Sequence, residues 1–591
     1  MEDLASIDAG GGVNGHPTID KSSSAAAHTV GSHCRSCLRS IKLWIPVDYK
    51  NETIQLFKLA GPVFISQVMS FLIGFVSMVF CGHLGKTELA GVALANAVIN
   101  VTGISIGSGL ASACDTLISQ TYGSGNRKRV GVILQRGVLI LLLACFPCWA
   151  VLINTQPILL AVRQSAEVAR LSQLYVKIFM PALPAAFMYQ LQGRYLQNQV
   201  WLMTARPLGI VWPTVVSGAA GNILNVIINY ILLTHLDLGV AGSAAANAIS
   251  QYSLAVVLFV HICSRGLHKA TWDGWSRDCL QEWGPFLRLA IPSMLMLCLE
   301  WWLYEIAGFL AGVISEVELG AQSIIYEMAA IAYMFPMGFS LAASVHVGNA
   351  LGAGNTEQAK LSSKVSIICA FTVSCFIGAC LIVSKDVVGY IFTTEKDIIQ
   401  RVADVMKIYA FIHVAEAFAC VTGGIVRGAG KQVVGAMCNL VCFYFIGFPI
   451  GVSLMFPVKM GIIGLWSGFL LCASLQSVFF IVFLCKLNWI KTTEEAVFRA
   501  GIRITEGNKI FGIENKAPDD ANRLGKTSRC NSSSSAKGKV MEVLEAGQQT
   551  SDDVALSVRQ LVVRRGLAVL LMFIILAAGV CISELLIRML E

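Results

Sequence analysis

Thirteen stretches of this chain are each long and apolar enough to cross a lipid bilayer. One helical crossing takes about 20 mostly apolar residues, and windows of that length place the stretches at residues 56–80, 89–112, 130–153, 171–196, 208–234, 239–263, 285–314, 319–345, 363–384, 402–426, 434–456, 461–485 and 566–588. Only 14% of the residues are charged, against roughly 25% in soluble domains. The sequence therefore predicts an all-α polytopic membrane protein and excludes a water-soluble globule.

The predicted loops divide their basic residues unequally between the two sides of the membrane. The side that holds the N-terminus carries the larger group, including Arg127, Lys128 and Arg129, and cytoplasmic loops are the ones enriched in Lys and Arg. We expect a cytoplasmic N-terminus and, with an odd number of spans, an extracellular C-terminus. Because basic residues collect in such loops, the net charge of +8 does not indicate a nucleic-acid partner, and none is expected.

Two segments differ in composition from the apolar stretches. Residues 1–50 and 487–562 are polar and rich in Ser and Gly, which is typical of flexible segments, so we predict a cytoplasmic tail and a flexible cytoplasmic linker. The spans then divide into an N-lobe at 51–265, a C-lobe at 266–486 and a last helix at 563–591. No metal site is expected, since Cys34 and Cys37 form only half of one. The sequence contains no GxxxxGK[ST] phosphate-binding loop, so we expect neither ATP nor another cofactor.

An internal repeat relates the two lobes. Five pieces of the first half recur in the second half with one constant displacement of 230 residues: Leu59-Ala60, Pro62, Glu88-Leu89, Lys177-Ile178 and Gly193. Six spans separate the copies, so both halves cross the membrane in the same direction. This is the parallel repeat of a two-lobed transporter, with pseudo-two-fold symmetry about the membrane normal.

The repeat also locates an insertion. Gly239 matches Gly461, a displacement of 222, so the first half has about eight additional residues beyond Gly193. We place them around Val200–Pro207, where they are either a tolerated loop insertion or an irregularity of the gene model.

Five ionisable side chains inside the predicted spans of the second half have no titratable counterpart in the first half. A charge at mid-helix costs about 2.5–3.5 kcal/mol, so such residues usually face a cavity or a partner. They are Glu300, Glu305, Glu327, His413 and Glu416, and the repeat matches them to Ser70, Phe75, Ala97, Leu183 and Ala186. None of the matching residues titrates, so the duplicated fold does not itself require acids there. The alternative is that each glutamate only hydrogen-bonds a neighbouring helix.

Aromatic residues accompany these acids. Trp301, Trp302, Tyr304 and Tyr326 lie close by in the sequence, and carboxylates and ring faces together can hold an organic cation. The alternative for each aromatic residue is a place at the level of the lipid headgroups. His413 shares a helix face with Glu416, three residues away, where it suits proton exchange or is simply a core histidine.

Competition for the acids suggests a mechanism. A proton bound to a carboxylate removes the charge that attracts a cationic substrate, so protonation expels the cation and produces antiport. The closest alternative is coupling to sodium, which carboxylate oxygens also bind. A lipid flippase shares a two-lobed architecture but favours basic residues for headgroup phosphates, and a receptor or scaffold gives no reason for acids in one half only.

Four further residues are assigned to gating or to structure. Asp115 and Gln120 end the second span, and Arg427 lies at the matching end of the tenth. Pro336 removes a backbone hydrogen bond within the eighth span and either bends that helix during transport or produces a static kink.

Several motifs together resemble the multidrug and toxin extrusion (MATE) family, in its vertebrate branch. They are Gly82-His83-Leu84-Gly85, Ala113-Cys114-Asp115-Thr116-Leu117, Gly348-Asn349-Ala350-Leu351-Gly352-Ala353-Gly354 and Arg427-Gly428-Ala429-Gly430. The resemblance covers about residues 50–490 and extends to a thirteenth helix typical of that branch. One departure is His346, which stands where close relatives tend to have arginine.

The resemblance implies two six-helix lobes around a central cavity. It also implies export of organic cations in exchange for protons at the plasma membrane, with no enzymatic activity. The membrane-embedded acids of the family map onto Glu300, Glu305, Glu327 and Glu416, which coincide with the acids identified from the repeat. The sequence does not specify the oligomeric state, and we expect a monomer.

Overall fold

The computed structural model of the protein describes residues 47–199, 208–502 and 557–590. Within these ranges, thirteen helices are long and apolar enough to cross a membrane. Twelve of them are α1 Asp48–Gly82, α2 Lys86–Gly123, α3 Arg127–Leu152, α4 Ala166–Gln197, α5 Trp212–His235, α6 Gly239–Ser264, α7 Trp283–Ile314, α8 Glu316–Gly352, α9 Thr356–Ile391, α10 Lys396–Gly428, α11 Gln432–Met455 and α12 Ile462–Lys486. A short helix, α13 Trp489–Arg499, precedes the last span, α14 Arg559–Arg588. The predicted all-α polytopic architecture with a thirteenth span is confirmed.

Local sequence signals determine where several helices begin. The side chain of Ser315 accepts a hydrogen bond from the backbone N–H of Glu318 at the start of α8, and Asn355 does the same for Gln358 in α9. Asn488 caps α13 in this way. Each cap satisfies a backbone donor that the first helical turn leaves without a partner.

The spans pack in two groups that correspond to the halves of the repeat. In the first lobe α4 packs against α2 and α6, and α5 packs against α6. In the second lobe α10 is central and contacts α8, α9 and α12. The lobes meet where residues 113–123 of α2 lie against α8 and residues 105–111 lie against α7. The interface between the two halves of the repeat therefore runs along α2, α7 and α8.

The last span, α14, packs along α3 of the first lobe. Near its start, Arg565 donates from Nε and Nη2 to the carbonyl of Leu280, at 2.9 and 2.7 Å, and stacks 4.1 Å above the ring of Trp283. Further along, the amide of Asn154, which follows α3, donates to the carbonyl of Gly579 at 2.9 Å. Arg565, near the beginning of α14, lies beside the loop before α7, and Gly579, further along α14, lies beside the end of α3. The helix α14 therefore runs parallel to α3.

The beginning of the predicted linker is helical in the structure. Residues 489–499 form the helix α13, which packs against α8, α9 and residues 113–123. This helix is short and amphipathic, so its composition resembles that of a polar linker although one face is buried. The predicted insertion at Val200–Pro207 and the Cys34–Cys37 motif lie outside the described residues. His346 is buried within α8.

Candidate functional site

A cavity of about 490 Å³ lies between the two lobes. In the first lobe its wall comes mainly from α1, α2, α4 and α6, and in the second lobe from α7, α8 and α10. Part of the α2 wall is a π-helical stretch, Asn100–Ile104, a local irregularity that is frequent at functional sites. Ligand pockets of proteins are typically of about this volume, roughly 300–1,000 Å³.

All four predicted glutamates line this cavity. Glu300 and Glu305 come from α7, Glu327 from α8 and Glu416 from α10. The facing wall of the first lobe carries neutral polar side chains such as Gln67 and Ser70. The four glutamates, which the repeat showed to be absent from the matching positions of the first half, therefore lie on the second-lobe wall of the cavity.

Tyrosine hydroxyls hold three of these carboxylates. Tyr333 donates to Oε1 of Glu300 at 2.9 Å, and Tyr326 donates to Oε1 of Glu305 at 3.2 Å. The hydroxyl of Tyr304 donates to Oε1 of Glu416. A carboxylate can accept about four hydrogen bonds, so each acid keeps capacity for a ligand after its tyrosine is satisfied.

Glu327 differs from the other three acids. Its Oε2 atom is buried and has no hydrogen-bond partner among the described residues. The ion pairs found in the described part of the chain involve other acids, as in the Arg194–Asp115 and Arg401–Glu318 pairs. Within the described residues the four cavity glutamates thus form no ion pair, although Arg427 lines the same cavity.

The predicted aromatic residues divide into two sets. Trp301, Tyr304 and Tyr326 line the cavity. Trp302 instead donates from its indole Nε1 to the carbonyl of Val101, at 3.0 Å, and does not belong to the cavity wall. Only the first three residues are placed to touch a ligand.

His413 lies behind the cavity wall. It is on α10 three residues before Glu416, yet it is fully buried, and its ring centroid is 6.2 Å from that of Tyr409. Neither ring nitrogen has a hydrogen-bond partner in the described residues. His413 therefore does not line the cavity, and of the two sequence-based interpretations its position favours the core histidine.

The two lobes are joined by hydrogen bonds at one end of the cavity, where α2, α8 and α10 end. The Thr116 hydroxyl donates to the carbonyl of Arg427 at 2.6 Å, and the Gln120 amide donates to the carbonyl of Gly428 at 2.8 Å. We call this junction the seam. The Gln432 amide also donates to the Thr116 hydroxyl, at 2.6 Å. The predicted gate residues Gln120 and Arg427 thus lie in the seam, whereas Pro336 is buried within the continuous helix α8.

Asp115 lies beside the seam within the first lobe. Its carboxylate pairs with Arg194 at 3.0 Å and accepts a hydrogen bond from the Asn198 amide at 3.0 Å. The Asp115 side chain is 1% exposed. Although Asp115 also lines the cavity, its charge is already compensated, which agrees with a structural role.

We expect Asp115→Asn to destabilise the protein, because it leaves the guanidinium of Arg194 buried without its counter-charge. Breaking one side of a buried ion pair costs about 3 kcal/mol or more, which thermal unfolding of the detergent-solubilised protein will show as a lowered midpoint. The double variant D115N/R194Q is expected to recover part of this loss. An unchanged midpoint in the single variant would contradict the assignment.

Sequence reasoning missed Tyr333 as a partner of Glu300. The available signal was its spacing: Tyr333 follows Tyr326 by seven residues, so both lie on one face of α8. It also missed the pairing of Asp115 with Arg194, which joins α2 to α4 and leaves no local pattern. In the described residues no group of three or more His, Cys, Asp or Glu side chains is arranged to hold a metal ion.

Comparisons with known proteins agree with this geometry. The family model MatE matches residues 62–231 and 292–453. The multidrug and toxin extrusion protein 1 of Danio rerio is 65% identical over 566 residues, covering 94% of each chain. The Homo sapiens protein of the same name is 52% identical over 546 residues, covering 90% of this chain and 94% of that relative. The crystal structure of the eukaryotic MATE transporter AtDTX14 superposes with a TM-score of 0.73 at 28% identity, covering 77% of this chain and all of the other.

Proposed function

This chain belongs to the MatE family of multidrug and toxin extrusion transporters, and from that premise we propose that it exports organic cations in exchange for protons. The observation that carries this proposal is the set of four glutamates, none of them in an ion pair within the described part of the chain, on one wall of the interlobe cavity. Their confinement to the second lobe supports a role in transport rather than in folding, since the matching positions of the first lobe have no acids.

The cavity chemistry supports a cationic substrate. A cation between Glu416 and Glu300 would meet carboxylate oxygens, and the rings of Trp301 and Tyr304 would add cation–π attraction. A charge pair at about 4 Å with an effective dielectric near 20 is worth roughly 4 kcal/mol before desolvation. Half of that energy changes affinity more than tenfold.

Proton coupling follows from competition for the same carboxylates. A glutamate that takes up a proton loses its charge, and the cation loses the corresponding attraction. Binding of one species therefore disfavours the other. The tyrosine hydroxyls of Tyr304 and Tyr333 assist by holding each carboxylate in place while the cation and the proton alternate.

We propose that the lobes alternate in opening the cavity to each side of the plasma membrane. The seam at the ends of α2, α8 and α10 is closed by hydrogen bonds in this structure, and the basic residues of the loops at that end support a cytoplasmic location for it. The cavity is thus in its cytoplasm-closed state. In the same orientation the N-terminus is cytoplasmic and the C-terminus, at the end of α14, is extracellular.

Uptake of labelled tetraethylammonium into proteoliposomes tests this function. This cation has no titratable group, so pH acts only on the protein. We expect an acidic lumen to drive accumulation equally with and without sodium, and a protonophore to abolish it. Accumulation that requires a sodium gradient and ignores the pH gradient would establish the sodium-coupled alternative instead.

A further inference from the structure

The helix α13 touches both lobes although it is attached to only one. It follows α12 of the second lobe after two residues, and its buried face carries Thr492, Thr493, Ala496 and Val497. This face packs against α8 and α9 of the second lobe and against residues 113–123 of the first. The helix therefore lies across the cytoplasmic end of the seam.

Arg499, at the end of α13, contacts the seam directly. Its Nη1 donates to Oε1 of Gln120 at 2.7 Å, while the amide nitrogen of the same glutamine donates to the carbonyl of Gly428. Gln120 is 1% exposed. Both ends of one buried first-lobe side chain are thus held by the second lobe and by its appended helix.

A second contact orients Arg499. Glu495, one turn earlier, pairs with Lys431 at 2.6 Å and lies 3.5 Å from Arg499. Burial alone would raise the pKa of Glu495, but the hydrogen bond and charge of Lys431 outweigh it and lower the pKa. The carboxylate therefore stays ionised at cytoplasmic pH. Because Lys431 belongs to the second lobe, this pair survives when the lobes separate.

We propose that α13 is a latch for the cytoplasm-closed state and that Arg499 is the positioning residue that fastens it. Opening the seam separates Gln120 from the second lobe, so the Arg499–Gln120 hydrogen bond breaks in every transport cycle. The latch thereby sets the fraction of transporter that is open to the cytoplasm. This inference rests on the proposed function, because it assigns a part of the same transport cycle.

The variant Arg499→Ala tests the latch. Loss of one charge-assisted hydrogen bond is expected to raise the cytoplasm-open fraction about tenfold. Apparent affinity scales with the competent fraction, so the KM for tetraethylammonium on the cytoplasmic side should fall by about the same factor. The KM on the other side should not fall. Amide hydrogen exchange in residues 113–123 is expected to become faster.

Two variants control this experiment. Glu494→Gln changes an exposed acid on the same helix and should leave both KM values unchanged. Arg499→Lys keeps a positive charge near Gln120, so its cytoplasmic KM should fall less than that of Arg499→Ala. Equal changes in both KM values, or unchanged KM and hydrogen exchange in Arg499→Ala, would overturn the latch. That outcome leaves the proposed function intact, since the function is tested separately through Glu416.

Discussion

Replacing Glu416 by glutamine is expected to abolish proton-driven exchange of tetraethylammonium, and Glu300→Gln should do the same. Glutamine keeps the size of the side chain and a carbonyl acceptor for Tyr304 or Tyr333, but it neither attracts a cation nor takes up a proton. We expect transport in proteoliposomes to fall by about 100-fold or more, within the roughly 4 kcal/mol available to such a charge pair.

The control for these variants is Glu357→Gln. Glu357 forms an exposed pair with Lys360 on α9, so its neutralisation should leave transport unchanged. All variants should reach the membrane in normal amounts, since among the described residues the cavity acids form no ion pair whose loss would destabilise the protein. Normal exchange by both Glu416→Gln and Glu300→Gln would refute the proposed mechanism.

The second large effect is expected from Gly352→Val, at the end of α8. A Cβ atom added at Gly352 would lie only 2.7 Å from the Cα atom of Gln120 and would overlap the backbone of that residue. Such overlap with main chain cannot be relieved by a rotamer change, so the seam cannot close. We expect transport to be lost while the protein remains folded, with residues 113–123 strongly exposed to amide hydrogen exchange.

The matched control is Gly308→Ala on α7, where an added Cβ meets nothing within 4 Å. This variant should transport at the normal rate. If Gly352→Val transports normally, or if its hydrogen exchange in residues 113–123 matches that of the unsubstituted protein, the seam is not an obligatory contact of the transport cycle.

The span architecture and the acids could be predicted from the sequence because both follow from strong local signals. Apolar stretches of membrane-spanning length are a strong signal. In a duplicated chain, each position of one half can also be compared with the matching position of the other half. The comparison of Glu300 with Ser70 needs no knowledge of the fold. For this reason the sequence alone could indicate the four glutamates as candidates to face a cavity.

Contacts that depend on the packing of separate helices could not be predicted in the same way. Helical spacing correctly places His413 on the same face of α10 as Glu416, but one helix face can contact several neighbouring helices. The His413 ring packs near Tyr409 and lies behind the cavity wall. The helix α13 is shorter than the stretch of about 20 residues that indicates a span, and about half of its residues are polar. Hydropathy therefore does not reveal it. Its bond from Arg499 to Gln120 joins residues far apart in the chain and has no sequence signature.

The opposite attachments of α13 and α14 have a mechanical consequence. The first follows α12 of the second lobe, whereas α14 packs along α3 of the first lobe and also contacts Leu280 and Trp283, beside the beginning of α7, through Arg565. A covalent cross-link between α14 and α3 is expected to be compatible with the proposed transport cycle, because both helices pack together on the first lobe. In the proposed cycle, a cross-link between α14 and the beginning of α7 would join the two lobes, so the loss of transport it causes would measure how far α7 moves away from α14.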